Sequence, residues 1–162
     1  MHFINRSLAA MAGLAIALTV LASPAGAQSA PFAGLSGVWS GSGTISLSDG
    51  SKERLRCRAT YRGAGGDNTL QQSLRCASDS YKFELSSDVV SEGGRVSGSW
   101  AEASRGLSGT LQGRVGRGVI AVAVDAPGFS ANLTLTTTGN RQSVSIVSQG
   151  DIRNVSIAMV RS

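Results

Sequence analysis

Residues 52–77, KERLRCRATYR-GAGGDN-TLQQSLRCA, alternate in polarity on both sides of a glycine-rich break. Before the break, Leu55, Cys57, Ala59 and Tyr61 share one parity, and Lys52, Arg54, Arg56, Arg58 and Arg62 share the other. After it, Leu70, Leu74 and Cys76 alternate with Gln71, Ser73 and Arg75. A period of two marks strands with one buried face. A tight turn centred on Gly66 and Asp67 lies midway between Cys57 and Cys76, so it places the cysteines directly opposite each other. Opposed residues on an antiparallel pair lie about 4.5–5.5 Å apart, within disulfide range. Turn, register and a Cys57–Cys76 bridge therefore agree, and such a bridge contributes about 3 kcal/mol, mostly by restricting the unfolded chain.

The same pattern extends along the chain. Turn signals recur at Asp49-Gly50, Gly65-Gly66-Asp67, Ser78-Asp79, Gly93-Gly94, Arg105-Gly106, Gly116-Arg117-Gly118, Pro127-Gly128, Gly139-Asn140 and Gly150-Asp151. They divide the sequence into ten alternating segments, and none carries a helical apolar period. Trp39, Gly41, Gly43, Ile45 and Leu47 face away from Ser40, Ser42, Thr44 and Ser46. Tyr81/Phe83/Leu85, Val96/Trp100, Leu107/Leu111/Val115, Phe129/Leu133/Leu135, Val144/Ile146 and Val155/Ile157/Met159 continue the apolar face. A sheet with one oily side must bury it, by curling into a barrel or folding over as a sandwich. Short, even hairpins in chain order favour the barrel, since sandwiches usually need crossovers. The expectation is an all-β, single up-and-down antiparallel barrel of about ten strands, with one disulfide. Its outward set is Ser, Thr, Arg and Gln, the reverse of an outer-membrane barrel.

Residues 1–27 read as a signal peptide. Arg6 gives the positive start, Leu8 to Leu21 an apolar core, and Ala25-Gly26-Ala27 a small-residue cleavage site after Ala27. The expected layout is a signal at 1–27, an N-terminal extension at 28–35 and a barrel domain at 36–162. The protein should be periplasmic or secreted, and not an integral membrane protein. His2 is the only histidine, so the mature chain has no imidazole for a metal, a haem or a catalytic triad. No metal and no cofactor are expected. Glu53 with Glu102 is the one carboxylate pair suited to acid–base work, and abundant serine lacks an activating base. An enzyme is not expected.

Gly37-Val38-Trp39 opens the first segment and resembles the G-x-W signature of calycin-like barrels, the lipocalins and fatty-acid-binding proteins. In those families an arginine of the last strand packs across the tryptophan, which implies that Arg161 and Trp39 close the barrel here. The longer run Gly37-x-Trp39-x-Gly41-x-Gly43 is similar to the start of nitrobindins, ten-stranded haem barrels. Their proximal histidine lies near the C-terminus. No histidine is present there, so haem does not carry over.

Two function classes follow. Ten strands enclose a wide interior, and Gly41, Gly43, Ala59, Gly98, Gly109 and Gly113 on the inward parity fill little of it. Trp39, Tyr61, Tyr81, Phe83, Trp100 and Phe129 would then line a pocket for a small apolar or amphipathic ligand, with Glu53, Gln72, Ser87 and Glu102 as polar contacts. The alternative is a filled core, with the glycines making room for the tryptophans. The second class is a cell-envelope interaction module acting through its outside or rim. Lys52, Arg54, Arg56, Arg58, Arg62 and Arg75 form a basic patch suited to an anionic envelope surface, or simply a solvated face. Glu84 and Asp88 are the nearest counter-charges. Secreted bacterial metalloprotease inhibitors resemble this plan, which would make residues 28–35 the working end. Val119–Val124 is apolar on both faces; its outer side either simply packs locally or is covered by a partner or by the N-terminal segment with Phe32. The outward positions lack interleaved aromatics, so nucleic acid is not an expected partner.

Overall fold

The computed structural model describes residues 30–63 and 68–162. The signal peptide at 1–27, the start of the extension at Gln28 and the Gly65-Gly66-Asp67 turn lie outside the described residues. Among the described residues there are ten strands: β1 Gly37–Leu47, β2 Lys52–Arg62, β3 Thr69–Ala77, β4 Lys82–Glu92, β5 Arg95–Glu102, β6 Leu107–Gly116, β7 Val119–Ala126, β8 Phe129–Thr138, β9 Arg141–Ser148 and β10 Ile152–Arg161. Every sequential pair is an antiparallel hairpin, and β1 pairs with β10 from Trp39↔Arg161 to Leu47↔Ile152. The sheet is a closed up-and-down barrel. Closure leaves no edge strand with unpaired backbone groups.

The alternation sorts the two faces. Leu55, Cys57, Ala59 and Tyr61 are buried, while Lys52, Arg54, Arg56, Arg58 and Arg62 are exposed. Cys57 stands opposite Cys76 in the β2–β3 ladder, and the two form the disulfide. Ser40, Ser42, Thr44 and Ser46 occupy the outer side of β1, opposite outward residues of β2. Among the described residues, the exposed large hydrophobics are Val90, Val147 and Val160, scattered singly over the wall.

The inward glycines mark where strands approach closely. A Cβ on Gly41 would lie 1.9 Å from the Ala158 carbonyl oxygen, and one on Gly109 would lie 1.8 Å from that of Asp125. These positions bend the wall, a recurrent role for strand glycine. Gly109 also stands opposite Trp100. With no side chain there, the Trp100 indole reaches across β6 and donates to the carbonyls of Thr110 (3.1 Å) and Asp125 (3.3 Å). Curvature and room for a tryptophan are both met at this residue.

One end is closed from the N-terminal side. Residues 31–35 form turns, with the Leu35 N–H donating to the Phe32 carbonyl, and Phe32 and Leu35 are buried in the main core. Trp39 is fully buried and donates its indole N–H to the Leu35 carbonyl at 2.8 Å. The Arg161 guanidinium lies 4.4 Å from the Trp39 ring centre and donates to the carbonyls of Ser36 and Gly34. Phe32 thus joins the interior and is not a cover for β7. The outward residues there are small, and Ala121 stays exposed.

Arg161→Ala should destabilise the fold by about 2 kcal/mol in urea unfolding, from the lost charged hydrogen bonds and the stacking on Trp39. Arg161→Lys should recover only part of this, because an ammonium cannot reproduce the planar fork. Gly109→Ala should cost about 1–3 kcal/mol through overpacking against backbone, and should alter the near-UV dichroism of Trp100.

Candidate functional site

A cavity of about 360 Å³ occupies the interior. Small-molecule sites commonly fall in the range of roughly 300–1,000 Å³. Its lining reaches Arg105, Gly150 and Asp151, so it approaches the end of the barrel carrying the β5–β6 and β9–β10 turns. The end capped by Phe32 and Trp39 lies opposite, with an open depression between residues 30–35 and the β4–β5, β6–β7 and β8–β9 turns.

Tyr61, Tyr81, Phe83, Trp100 and Phe129 line this space together. Tyr81 and Phe83 stack with centroids 6.4 Å apart and planes 8° from parallel. Trp100 and Phe129 pack at 5.7 Å with a 58° tilt. Trp39 is not part of the lining. It has the inward parity, but the 30–36 turn and Arg161 take up its indole at the capped end. Cys76 is a lining residue as well as half of the disulfide.

The polar groups expected inside are hydrogen-bonded. Ser87 donates to the Gln72 side-chain oxygen at 2.9 Å, and both residues face the cavity. Tyr61 stands beside Gln72 in the ladder, and its hydroxyl donates to Gln142 at 2.9 Å. Burial drives the Tyr61 phenol well above its usual range, only partly opposed by Gln142. Its hydroxyl is a fixed donor and not a base.

Glu53 and Glu102 serve turns. Glu53 accepts from the Ser78 hydroxyl at 2.6 Å and from the Ser80 N–H at 3.3 Å, and these bonds hold its carboxyl below the usual value. Glu102 is only 4% exposed. Its carboxylate accepts the backbone N–H groups of Glu84 (2.9 Å), Ser104 (3.1 Å) and Arg105 (2.8 Å). Burial alone would raise its pKa, but those donors outweigh it and the net shift is downward. Both carboxylates are kept ionised as acceptors, the opposite of a general acid raised toward neutrality.

The β5–β6 turn built on Glu102 carries Arg105 to the cavity mouth. Its guanidinium stacks 4.8 Å from the Phe83 ring centre and touches Glu102 only at 4.0 Å. Alternation along strands does not point to this residue, because it lies in a turn. The available signal was the sequence Glu102-x-x-Arg105-Gly106, a carboxylate three residues before a basic turn residue.

On the outer wall, Arg58 faces Arg75 across the β2–β3 ladder and Arg75 faces Glu84 on β4. Glu84 bonds instead to Lys82 at 3.0 Å, and Asp88 accepts from Gln71 at 3.1 Å. The basic residues of β2 form no ion pair among the described residues. No cluster of three metal-ligating side chains occurs among the described residues. No described helix is long and apolar enough to cross a membrane.

No protein-family model matches this chain, and no curated protein matches it in sequence. Among solved structures, the crystal structure of Rv2717c from M. tuberculosis is similar, with a TM-score of 0.66 over 81% of this chain and 94% of that one. The two share 15% sequence identity, so the likeness is one of fold. It supports the ten-stranded barrel and leaves the calycin families named by the G-x-W resemblance as a consistent architecture.

Glu102→Gln should lower stability by about 2 kcal/mol at neutral pH, since hydrogen bonds to a charged acceptor are the stronger kind. The folded carboxyl titrates below its ordinary value of 4.5. Its contribution is therefore full above the unfolded value and is lost as pH falls through the lower folded value. Urea melts of both proteins from neutral to acid pH should show the difference narrowing on the acid side.

Proposed function

We propose that this is an exported, non-enzymatic barrel that holds one small apolar or amphipathic molecule in its lumen. The observation that carries this reading is the aromatic-lined cavity of about 360 Å³ reaching one end of the barrel. Its walls are apolar, and its polar groups are few and fixed, the usual form of a small-molecule site. Arg105 at the mouth gives a polar or anionic end of the ligand a place to rest while its apolar body lies against Phe83, Trp100 and Phe129. Tyr61, Glu53 and Glu102 are committed to internal hydrogen bonds, which supports binding over turnover. Export rests on the signal-like sequence at 1–27, and the Cys57–Cys76 bridge suits an oxidising compartment.

The described part of the N-terminal extension weighs against the protease-inhibitor alternative, which would use residues 28–35 as its working end. Phe32 and Leu35 are built into the core, and the segment around them is held by Trp39 and Arg161.

Native mass spectrometry of the protein purified from its source should reveal a co-purifying small molecule, and the emptied protein should bind Nile red at a single site. Leu133→Trp, which fills the lumen from a half-buried lining position, should weaken Nile red binding at least tenfold. Arg105→Ala should weaken the anionic dye anilinonaphthalene sulfonate several-fold more than the neutral one. Dye binding unaffected by Leu133→Trp would place the dye outside the barrel and overturn the reading.

A further inference from the structure

We infer that the outer wall of β1 and β2 is a docking surface for a linear acidic polysaccharide, whose anionic groups lie along the Lys52–Arg62 ladder. This does not depend on the lumen. Lys52, Arg54, Arg56 and Arg58 are exposed and project from every second residue of one strand, with Arg62 continuing the row. Alternate residues of a strand are roughly 7 Å apart, so the cations form a line along the barrel wall and not a compact cluster.

A second row runs beside the first. Ser46, Thr44, Ser42 and Ser40 of β1 stand opposite Lys52, Arg54, Arg56 and Arg58 in the ladder. Each cation thus has a hydroxyl neighbour across the pair, and Arg54 donates diagonally to the Ser42 hydroxyl at 3.4 Å. Parallel lines of guanidinium and hydroxyl groups match a chain that offers carboxylate and hydroxyl oxygens in alternation. Guanidinium also binds carboxylate through two parallel hydrogen bonds.

No carboxylate among the described residues pairs with the ladder. Among the described residues the ion pairs are Lys82–Glu84 and Arg105–Glu102, and neither uses a ladder residue. Arg58 and Arg75 face each other directly, an arrangement that weakens a sheet. Glu84 stands opposite Arg75 yet bonds to Lys82. Among the described residues only the Arg54–Ser42 contact engages a ladder cation, so the row offers donors to an external anion.

The same wall argues against other polyanionic surfaces. A membrane-binding face would join its charges to exposed apolar anchors. Val160 stands beside Ser40 at one end of the wall and Val90 and Val147 lie on β4 and β9, so no row of apolar anchors accompanies the cations. A nucleic-acid face would add aromatic platforms for bases, whereas the ladder is flanked by Ser and Thr on β1 and by Ala77, Arg75, Ser73 and Gln71 on β3.

The test uses the full exported chain with polygalacturonate as probe, uncharged dextran as control, and phosphatidylglycerol vesicles as the competing surface. Polygalacturonate should bind, with affinity falling as salt rises, and dextran and vesicles should not. Changing Arg54, Arg56 and Arg58 together to Ser should weaken binding at least tenfold. Changing Arg95, Arg114 and Arg117 together to Ser removes equal charge from β5, β6 and the β6–β7 turn and should alter it less than twofold. Arg56→Glu, a single change in mid-ladder, should also weaken binding and serves if the triple variant folds poorly. Equal losses from both triple variants would reduce the effect to net charge. That result, vesicle binding in preference to polygalacturonate, or no polygalacturonate binding would each overturn the inference.

Discussion

The hydrogen-bonded seam between β1 and β10 is the constraint on which the rest of the molecule depends. Nine consecutive hairpin pairings would produce only an open sheet, with its apolar side facing water and two bare edges. Joining Trp39 through Leu47 to the last strand turns that side into an interior and removes both edges. The seam is reinforced where it is most exposed to fraying. Arg161, the last residue of β10, grips the carbonyls of Gly34 and Ser36 and covers Trp39, so one side chain ties the C-terminus to the segment preceding β1.

Closure also explains why the interior is not full. A ten-stranded wall encloses more space than its inward residues occupy, and glycine at several inward positions lets the wall bend without adding side-chain volume. The aromatic residues then line the space at its sides, with Tyr81 and Phe83 stacked on one wall and Trp100 and Phe129 packed on another. Polar groups are placed where they are satisfied: Tyr61 on Gln142, Glu102 on three backbone amides near the mouth. The cavity is therefore apolar without leaving buried donors or acceptors stranded.

Much of this was legible in the sequence because it depends on short-range order. The period of two assigned faces, the glycine-rich turns set strand lengths, and the cysteine spacing fixed the β2–β3 register, which Cys57↔Cys76 reproduces. Strand number and closure followed from the same local rules. What parity could not supply was depth along the barrel axis. Trp39 and Trp100 have the same inward sense, yet one is sealed under the N-terminal turn and the other lines the cavity. The positions of Phe32 and Arg105 were hidden for a related reason: each lies outside a strand, where alternation carries no information. Glu53 and Glu102 looked alike as inward carboxylates, and only the placement of turn amides around each made them structural acceptors.

The bridge between Cys57 and Cys76 sits on the inner side of the hairpin one rung away from the facing arginines, Arg58 and Arg75, on its outer side. Mutual repulsion of those guanidinium groups pushes apart two strands that a covalent link holds together. The link thus opposes that repulsion at this rung, whereas the facing Arg95 and Arg114 of β5 and β6 carry no such link. In a reducing environment the link is lost and that repulsion is opposed by the ladder alone, beside the cavity that Cys76 helps to line.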